Sequence, residues 1–309
     1  MAKLRVAVLM GGTSHERAVS LNSGMMVAGA LDRAKYDVVS VDFTGDLAPI
    51  AALPGQVDVV FLALHGPGGE DGRMQGVLDL LGLPYTGSGV LGSALAMHKG
   101  MTKRIYRAAG VPTPEDVTLY RHEPDHVARV RDTVGLPCVV KPVNEGSTFG
   151  ISIVREDTEL EPALDEAFRY GSEVIAECFL PGVEISVPVL GADPRALPAI
   201  EIIPKSGFYD YEMKYTPGAT EEICPARLSP AAAEKAGNYA VRAHRALGCF
   251  GVSRTDFIVA GDEPVALETN SLPGMTATSL LPLSARVAGI AFPDLLDRLI
   301  GDALGSGRV

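Results

Sequence analysis

Four polar residues near the end of the chain have spacing suited to chemistry. Arg254 and Asp256 alternate along GVSRTDFIVA, and Glu268 and Asn270 alternate along PVALETN. Side chains alternate across a strand, so each pair shares a face. Gly261-Asp262-Glu263 separates the segments and reads as a hairpin turn. A hairpin centred on Asp262 sets Asp256 opposite Glu268 and Arg254 opposite Asn270. Facing residues have Cβ atoms about 4.5–5.5 Å apart, and like charges there repel. Two carboxylates and an amide oxygen held among mostly apolar neighbours ask for a hard cation such as Mg²⁺, which also takes water and phosphate oxygens. A solvated polar hairpin face is the plainer alternative.

Lys141 lies within CVVKPV, between apolar neighbours. An ammonium there must find an anion, because burying it unpaired is costly. For an isolated lysine, an internal salt bridge or an edge-strand position would be the default. Here a loop begins three residues on and carries Gly146, Ser147, Thr148 and Gly150. Such a loop can aim backbone N–H groups at phosphate oxygens. Lysine and loop together favour a nucleotide phosphate. No GxxxxGK(S/T) run exists, so an ATP site here is not a P-loop. GSGVLG at 87–92 matches the dinucleotide pattern GxGxxG. Glu115 and Asp116 precede an apolar run instead of ending one, which makes them poor ribose-binding acids. His15, His65 and His98 lie near the ligand-binding loops but lack the Cys or His neighbours of a zinc site. His122, His126 and His244 read as ordinary surface or helix residues.

The elements that position these residues follow an α/β (α+β) pattern. Strands at 4–10, 36–43 and 57–64 alternate with helical stretches, the first at 15–32, which predicts a small parallel sheet. HER at 15–17 and HGPGGEDG at 65–72 sit at carboxyl ends of those strands, where such sheets bind ligands. From Lys99 the order changes to helix (99–109), strand (116–120), helix (124–133) and strand (138–143). A strand (151–156), a helix (158–169) and a strand (173–180) follow. NEGSTFG is too short for a parallel crossover, so the strands it joins should pair antiparallel. A third part begins near Pro181. Its residues 206–223 are polar and turn-rich and read as a lid loop. A helix at 229–248 opens with Ser229 as N-cap and Pro230 at its first position. The expected domains are 1–98, 99–180 and 181–309.

The sequence has 309 residues, a net charge of -11, and 47% apolar and 21% charged residues. That composition is globular, and its charge argues against nucleic acid, which is bound by neutralising phosphates. Cys138, Cys178, Cys224 and Cys249 form no CxxC pair, as expected of reduced thiols in a cytoplasmic protein. The apolar run near Met1 is too short for a signal peptide, and no run of about 18 apolar residues spans a membrane.

Taken in order, GGTSHERAVSL (11–21), HGPGGEDGRMQG (65–76), GSGVLGSALAMHK (87–99), KPVNEGSTFG (141–150), FYDYEMKY (208–215), GCFGVSRTDF (248–257) and LETNSLPGMTATSL (267–280) resemble the D-alanine–D-alanine ligases of the ATP-grasp superfamily. The resemblance runs through nearly the whole chain. It implies a three-domain ATP-grasp fold whose two α+β domains clasp ATP, and ADP-forming ligation of two D-alanines for peptidoglycan precursors. Lys99 and Lys141 would bind ATP phosphates, with Glu145, Gly146, Ser147 and Lys214 also on the nucleotide. Glu177, Leu180 and Glu184 would surround adenine and ribose. Asp256, Glu268 and Asn270 would hold two Mg²⁺ ions, replaceable by Mn²⁺. Glu16 would hold the first D-alanine's ammonium, with His65 nearby. Arg254 and the Gly274 N–H would stabilise the reacting carbonyl oxygen, and Ser279 and Leu280 would contact the second D-alanine's carboxylate. Ser147 and Tyr215 would form a hydrogen-bonded pair that closes the lid, linked to Glu16. The resemblance also suggests a homodimer.

The chain departs from the family pattern in places. Ala18 stands where glutamate is common, and His98 replaces a frequent aspartate. Thr269 and Ser271 flank Asn270 where valine and threonine are typical, and Cys178 stands where some relatives have lysine. None removes a metal or phosphate ligand. Related readings are a ligase that takes D-serine or D-lactate as second substrate, and a non-catalytic nucleotide-binding regulator. Tyr215 speaks against lactate, because the lactate-forming relatives carry histidine there. Arg254 speaks against the regulator, because binding alone needs no oxyanion donor.

Overall fold

The structure, a computed structural model, describes residues 2–146, 149–204 and 220–307. Strands β1 (Leu4–Gly11), β2 (Tyr36–Phe43) and β3 (Val59–Leu62) form a parallel sheet in the order β2-β1-β3. Helices α1 (Arg17–Ala30), α2 (Ala48–Ala51), α3 (Arg73–Leu80) and α4 (Val90–Met97) lie between and after them. From Val6 to Gly11 every residue of β1 is buried, as a parallel strand covered on both faces should be. Val6, Val8 and Met10 belong to one core cluster, and Ala7 and Leu9 to another. The two faces are therefore packed separately.

After α5 (Lys99–Ala108), strands β4 (Asp116–Tyr120), β5 (Cys138–Pro142), β6 (Ser152–Val154) and β7 (Glu173–Cys178) form an antiparallel sheet ordered β4-β7-β5-β6. β5 and β6 pair antiparallel, as the short loop between them requires. Helices α6 (His126–Thr133) and α7 (Asp157–Arg169) cover this sheet.

The third sheet is antiparallel and ordered β11-β10-β8-β12-β13. Its strands are β8 (Val183–Leu190), β9 (Arg195–Ala196, paired with β8), β10 (Ile200–Pro204), β11 (Thr220–Ile223), β12 (Val252–Ala260) and β13 (Glu263–Asn270). Helix α8 (Pro230–Ala246) starts as predicted: the Ser229 hydroxyl accepts from the Ala232 N–H at 3.1 Å, and Pro230 is its first residue. Ala232, Ala236, Ala240 and Ala243 form a small-residue stripe packed in the core cluster of this sheet. The expected lid, 206–223, is corrected at its end. Thr220–Ile223 pair with Glu201–Pro204 as an edge strand, satisfying backbone groups that a free loop would leave open. Residues 206–219 lie outside the described residues.

Packing does not follow chain order. α9 (Leu280–Val287) and α10 (Phe292–Gly305) return to the first sheet, where Leu281, Leu295, Leu299 and Ile300 meet Val6, Val8 and Phe61. α5 packs its apolar side on the third sheet, where Tyr106 joins Val187 and Phe257 in one cluster and its hydroxyl meets Thr269 Oγ1 at 2.6 Å, while Lys103 and Arg107 pair with Glu177 and Asp116 of the second. Packing thus crosses the chain positions 98 and 180 on both sides.

Candidate active site

The carboxyl end of β1, the Gly-rich loop, β13 and the start of α9 converge on one cleft. Among the described residues, Glu16, His65, Lys99, Glu145, Gly146, Arg254, Glu268, Asn270, Gly274, Ser279 and Leu280 all line it. Arg254, Glu268 and Asn270 come from strands of the third sheet, and the others from loops and helix starts.

The hairpin places its polar residues as the sequence predicts, through a different register. The turn closes with Ala260 opposite Glu263, leaving Gly261 and Asp262 as a two-residue loop. Gly261 has φ +64, which suits the first position of such a loop. Continued regularly, that register would set Asp256 opposite Leu267. A β-bulge between Asp256 and Phe257 restores Asp256 opposite Glu268 and Arg254 opposite Asn270. Arg254 then reaches along its own strand to Asp256, at 3.0 and 2.9 Å. Ser186 donates to the same carboxylate. Glu268 lies 3.4 Å from Lys99 Nζ. Asn270 Oδ1 accepts from the Leu272 N–H at 2.9 Å. Among the described residues, no three His, Cys, Asp or Glu side chains converge as a metal cluster. The oxygen set is therefore two carboxylates and one amide, a combination of hard donors.

Lys99 opens α5 and donates to the Glu145 carbonyl at 2.5 Å, tying the helix to the Gly-rich loop. His98 caps that helix: its Nδ1 accepts from the Met101 N–H at 3.2 Å, and its Nε2 lies 3.2 Å from Glu173. An imidazole nitrogen thus performs the acceptor task of an N-cap residue. Gly146 approaches Glu16 so closely that a Cβ there would lie 2.8 Å from Glu16 Oε2. His15 stacks obliquely on Phe149, with ring centroids 5.3 Å apart, and joins the same two loops. Ser147, Lys214 and Tyr215 lie outside the described residues, and so does their expected lid contact.

Lys141 finds its anion within the protein. Its Nζ donates to Glu177 Oε1 at 2.5 Å, and both side chains are buried. Burial works against the lysine's charge, yet Glu177 holds its pKa above the ordinary lysine value. Glu177 pairs with Val139 and Asp116 across the second sheet. Leu180 follows β7, and Glu184 lies on β8. Lys141, Glu177, Leu180, Glu184 and Asp256 are not among the described residues that line the cleft.

At the other end, His65 is held from both sides. Nδ1 lies 2.9 Å from Glu70 Oε1 and Nε2 lies 3.2 Å from Ser23 Oγ. Ser23 also accepts from the Met275 N–H at 3.3 Å, joining α1 to the loop before α9. Burial disfavours a charged imidazole here, but Glu70 and the Glu16 charge outweigh it and raise the His65 pKa. Gly274 leaves room for Ser279: a Cβ would lie 2.7 Å from Ser279 Oγ. Ser279 is the N-cap residue of α9, where unpaired backbone N–H groups favour an anion.

Glu70 and Glu222 also line the cleft and escaped the motif reading. Glu70 lies inside HGPGGEDG, but only folding shows that it turns back onto His65. Glu222 falls in the stretch read as a lid. Burial raises its pKa, with Arg254 opposing. His244 lies on helix α8, one of the two expected places, and is buried there, its Nδ1 2.8 Å from Ser253 Oγ.

Comparison with known proteins agrees with this arrangement. The family model described as D-ala D-ala ligase N-terminus matches residues 5–48 and 46–88, and the one described as D-ala D-ala ligase C-terminus matches 105–301. A D-alanine–D-alanine ligase of Syntrophobacter fumaroxidans is 52% identical over 305 residues, 98% of each chain. The crystal structure of D-alanine–D-alanine ligase from Bacillus anthracis complexed with ATP superposes with a TM-score of 0.85, at 35% identity over 98% of each chain. The VanG D-Ala:D-Ser ligase of Enterococcus faecalis superposes with a TM-score of 0.85, at 32% identity over 97% of this chain and 99% of that one. The fold is the ATP-grasp fold of these neighbours. With motif order, cleft and near full-length identity in agreement, the chain belongs to the D-alanine–D-alanine ligase family.

Proposed function

We propose that this protein uses ATP to join two D-alanines, releasing ADP and phosphate and supplying peptidoglycan precursor synthesis. The observation that carries this reading is the convergence of Glu16, Lys99, Arg254, Glu268, Gly274 and Ser279 on one cleft. A carboxylate is a poor acyl donor and must first be activated. The first D-alanine's carboxylate oxygen attacks the ATP γ-phosphorus, ADP departs, and an acyl phosphate forms. Glu16 holds that substrate's ammonium, and Lys99 lies against the triphosphate. The second amine, having lost its proton, attacks the acyl carbon. Arg254 and the Gly274 N–H stabilise the oxyanion as the C–N bond forms. The acyl C–O bond then breaks, and phosphate leaves. Ser279 and Leu280 at the start of α9 orient the second carboxylate.

Asp256, Glu268 and Asn270 fit two Mg²⁺ ions, or Mn²⁺ in their place. Their donors are all hard oxygens, and the facing carboxylates lie beside the cations Arg254 and Lys99. When bound, the ions supply positive charge against the polyphosphate. Lys141, Glu145 and Gly146 serve the nucleotide phosphates, and Glu177, Leu180 and Glu184 serve the nucleoside. We place the enzyme in the cytoplasm as a homodimer. Leu80 on α3 and Leu91 on α4 are exposed.

The test is ADP release with and without D-alanine, followed by mass analysis of products from mixed D-alanine, D-serine and D-lactate. D-Alanyl-D-alanine should dominate. Preferred formation of the serine or lactate product would overturn the acceptor assignment. ADP release indifferent to D-alanine would overturn the ligase reading.

A further inference from the structure

Lys103 is the most deeply buried cation of the described residues, with no exposed side-chain surface. It lies on α5, one turn after Lys99, yet does not line the cleft. Its Nζ stands 2.7 Å from Glu177 Oε2. Lys141 Nζ holds the other oxygen, Oε1, at 2.5 Å. Two ammonium groups thus share one buried carboxylate, leaving the cluster one positive charge in excess. Lys103 also donates to Thr113 Oγ1 at 3.0 Å, and Thr113 donates to the Ala266 carbonyl at 2.8 Å. That chain anchors Lys103 to β13, in the third sheet, while its charge rests on the second. Burial, with the Lys141 charge, holds its pKa below the ordinary lysine value, against the opposing pull of Glu177 and Asp116.

A buried cation is costly to keep. A single lysine would satisfy Glu177, so a second one calls for an explanation. Lys141 is assigned to a nucleotide phosphate and to Glu177, and it cannot serve both fully. If it were the carboxylate's sole partner, moving toward phosphate would leave a buried anion unpaired, which is strongly unfavourable. With Lys103 in place, Glu177 keeps a cation when Lys141 moves.

We propose that Lys103 is a positioning residue, the standing counter-ion of Glu177 that releases the Lys141 ammonium for a nucleotide phosphate. This rests on the reading of Lys141 as a phosphate contact. Lys103 touches no substrate in this scheme. It acts through Glu177 and Lys141 alone.

The test is calorimetric titration of ADP and adenosine into wild type, Lys103→Met, Lys103→Met/Glu177→Gln and Lys141→Ala. The readout is the preference for ADP over adenosine, which cancels any change in the nucleoside's own contacts. Lys103→Met should lower that preference by about tenfold or more, because it locks Lys141 onto Glu177. In turnover, KM for ATP should rise while KM for D-alanine holds. The double variant restores the cluster's single positive charge and should recover the preference. Loss of ADP and adenosine affinity in equal measure in Lys103→Met, or a double variant no better than the single one, would overturn the proposal. Should Lys103→Met not fold, the double variant decides alone: a preference near wild type supports the proposal, and its loss overturns it. Lys141→Ala separates the two readings. If it leaves the preference intact, the phosphate assignment itself fails. If it abolishes the preference and Lys103→Met does not, only the role of Lys103 fails.

Discussion

Asp256 faces Glu268 across β12 and β13 because Leu267 is an extra residue on β13, opposite the step from Asp256 to Phe257. Without that bulge the turn would set Leu267 against Asp256 and point Glu268 to the other face, since neighbouring side chains alternate. Two carboxylates held opposed in this way repel unless a cation lies between them.

Glu268→Gln should therefore abolish Mg²⁺-dependent ligation without weakening the metal-free fold. Removing one of two facing like charges alters stability by roughly 1 kcal/mol or less. Urea unfolding should show wild type gaining stability with Mg²⁺ and ATP and the variant gaining none. Asp256→Asn should behave alike in ligation. Normal ligation by either variant at ordinary Mg²⁺ would contradict the hairpin site.

The His65–Glu70 pair predicts a pH dependence. Burial lowers the imidazole pKa, but Glu70 and Glu16 raise it further, for a net rise above the usual value. A group with a raised folded-state pKa stabilises the fold fully below its unfolded pKa, about 6.5 for histidine. That contribution fades as pH rises through the folded pKa. Glu70→Gln should be most destabilised relative to wild type near pH 6, with the gap narrowing at alkaline pH. NMR titration of His65 should show its pKa falling in the variant. An unchanged His65 titration would remove Glu70 as the cause.

His98 offers a test of capping. Its Nδ1 accepts from the Met101 N–H at the start of α5. His98→Ala should cost about 1 kcal/mol, and His98→Asn should recover most of it, because asparagine is also a strong N-cap acceptor. Thermal unfolding of the two variants decides. Equal stability would mean that the contact to Glu173 is the important one.

Two glycines predict separable kinetic defects. Gly146→Ala would drive a methyl group to 2.8 Å from Glu16 Oε2, and Gly274→Ala to 2.7 Å from Ser279 Oγ. The first should raise KM for ATP and for the first D-alanine. The second should raise KM for the second D-alanine and leave ATP binding near normal. Initial rates across a wide D-alanine range resolve the two, and identical defects would contradict the assignment of the sites.

Much of the site can be read locally. The α8 start is set by Ser229 and Pro230, whose capping chemistry needs only neighbours. The pairing of β5 with β6 follows from loop length, and the polar alternation of Arg254, Asp256, Glu268 and Asn270 from strand geometry. The motif order alone announces the family. What local reading misses depends on contacts distant in sequence. A bulge costs nothing visible in the sequence, so its effect on register emerges only when β13 pairs. Glu70 meets His65, Lys103 meets Glu177, and α10 covers β1 because burial of charge and apolar surface is settled between elements, not within them. Many of the residues that line the cleft were therefore legible in the chain. Which of them share a counter-ion, and which face each other, was decided by packing, because desolvation and Coulomb attraction act over space rather than along the sequence.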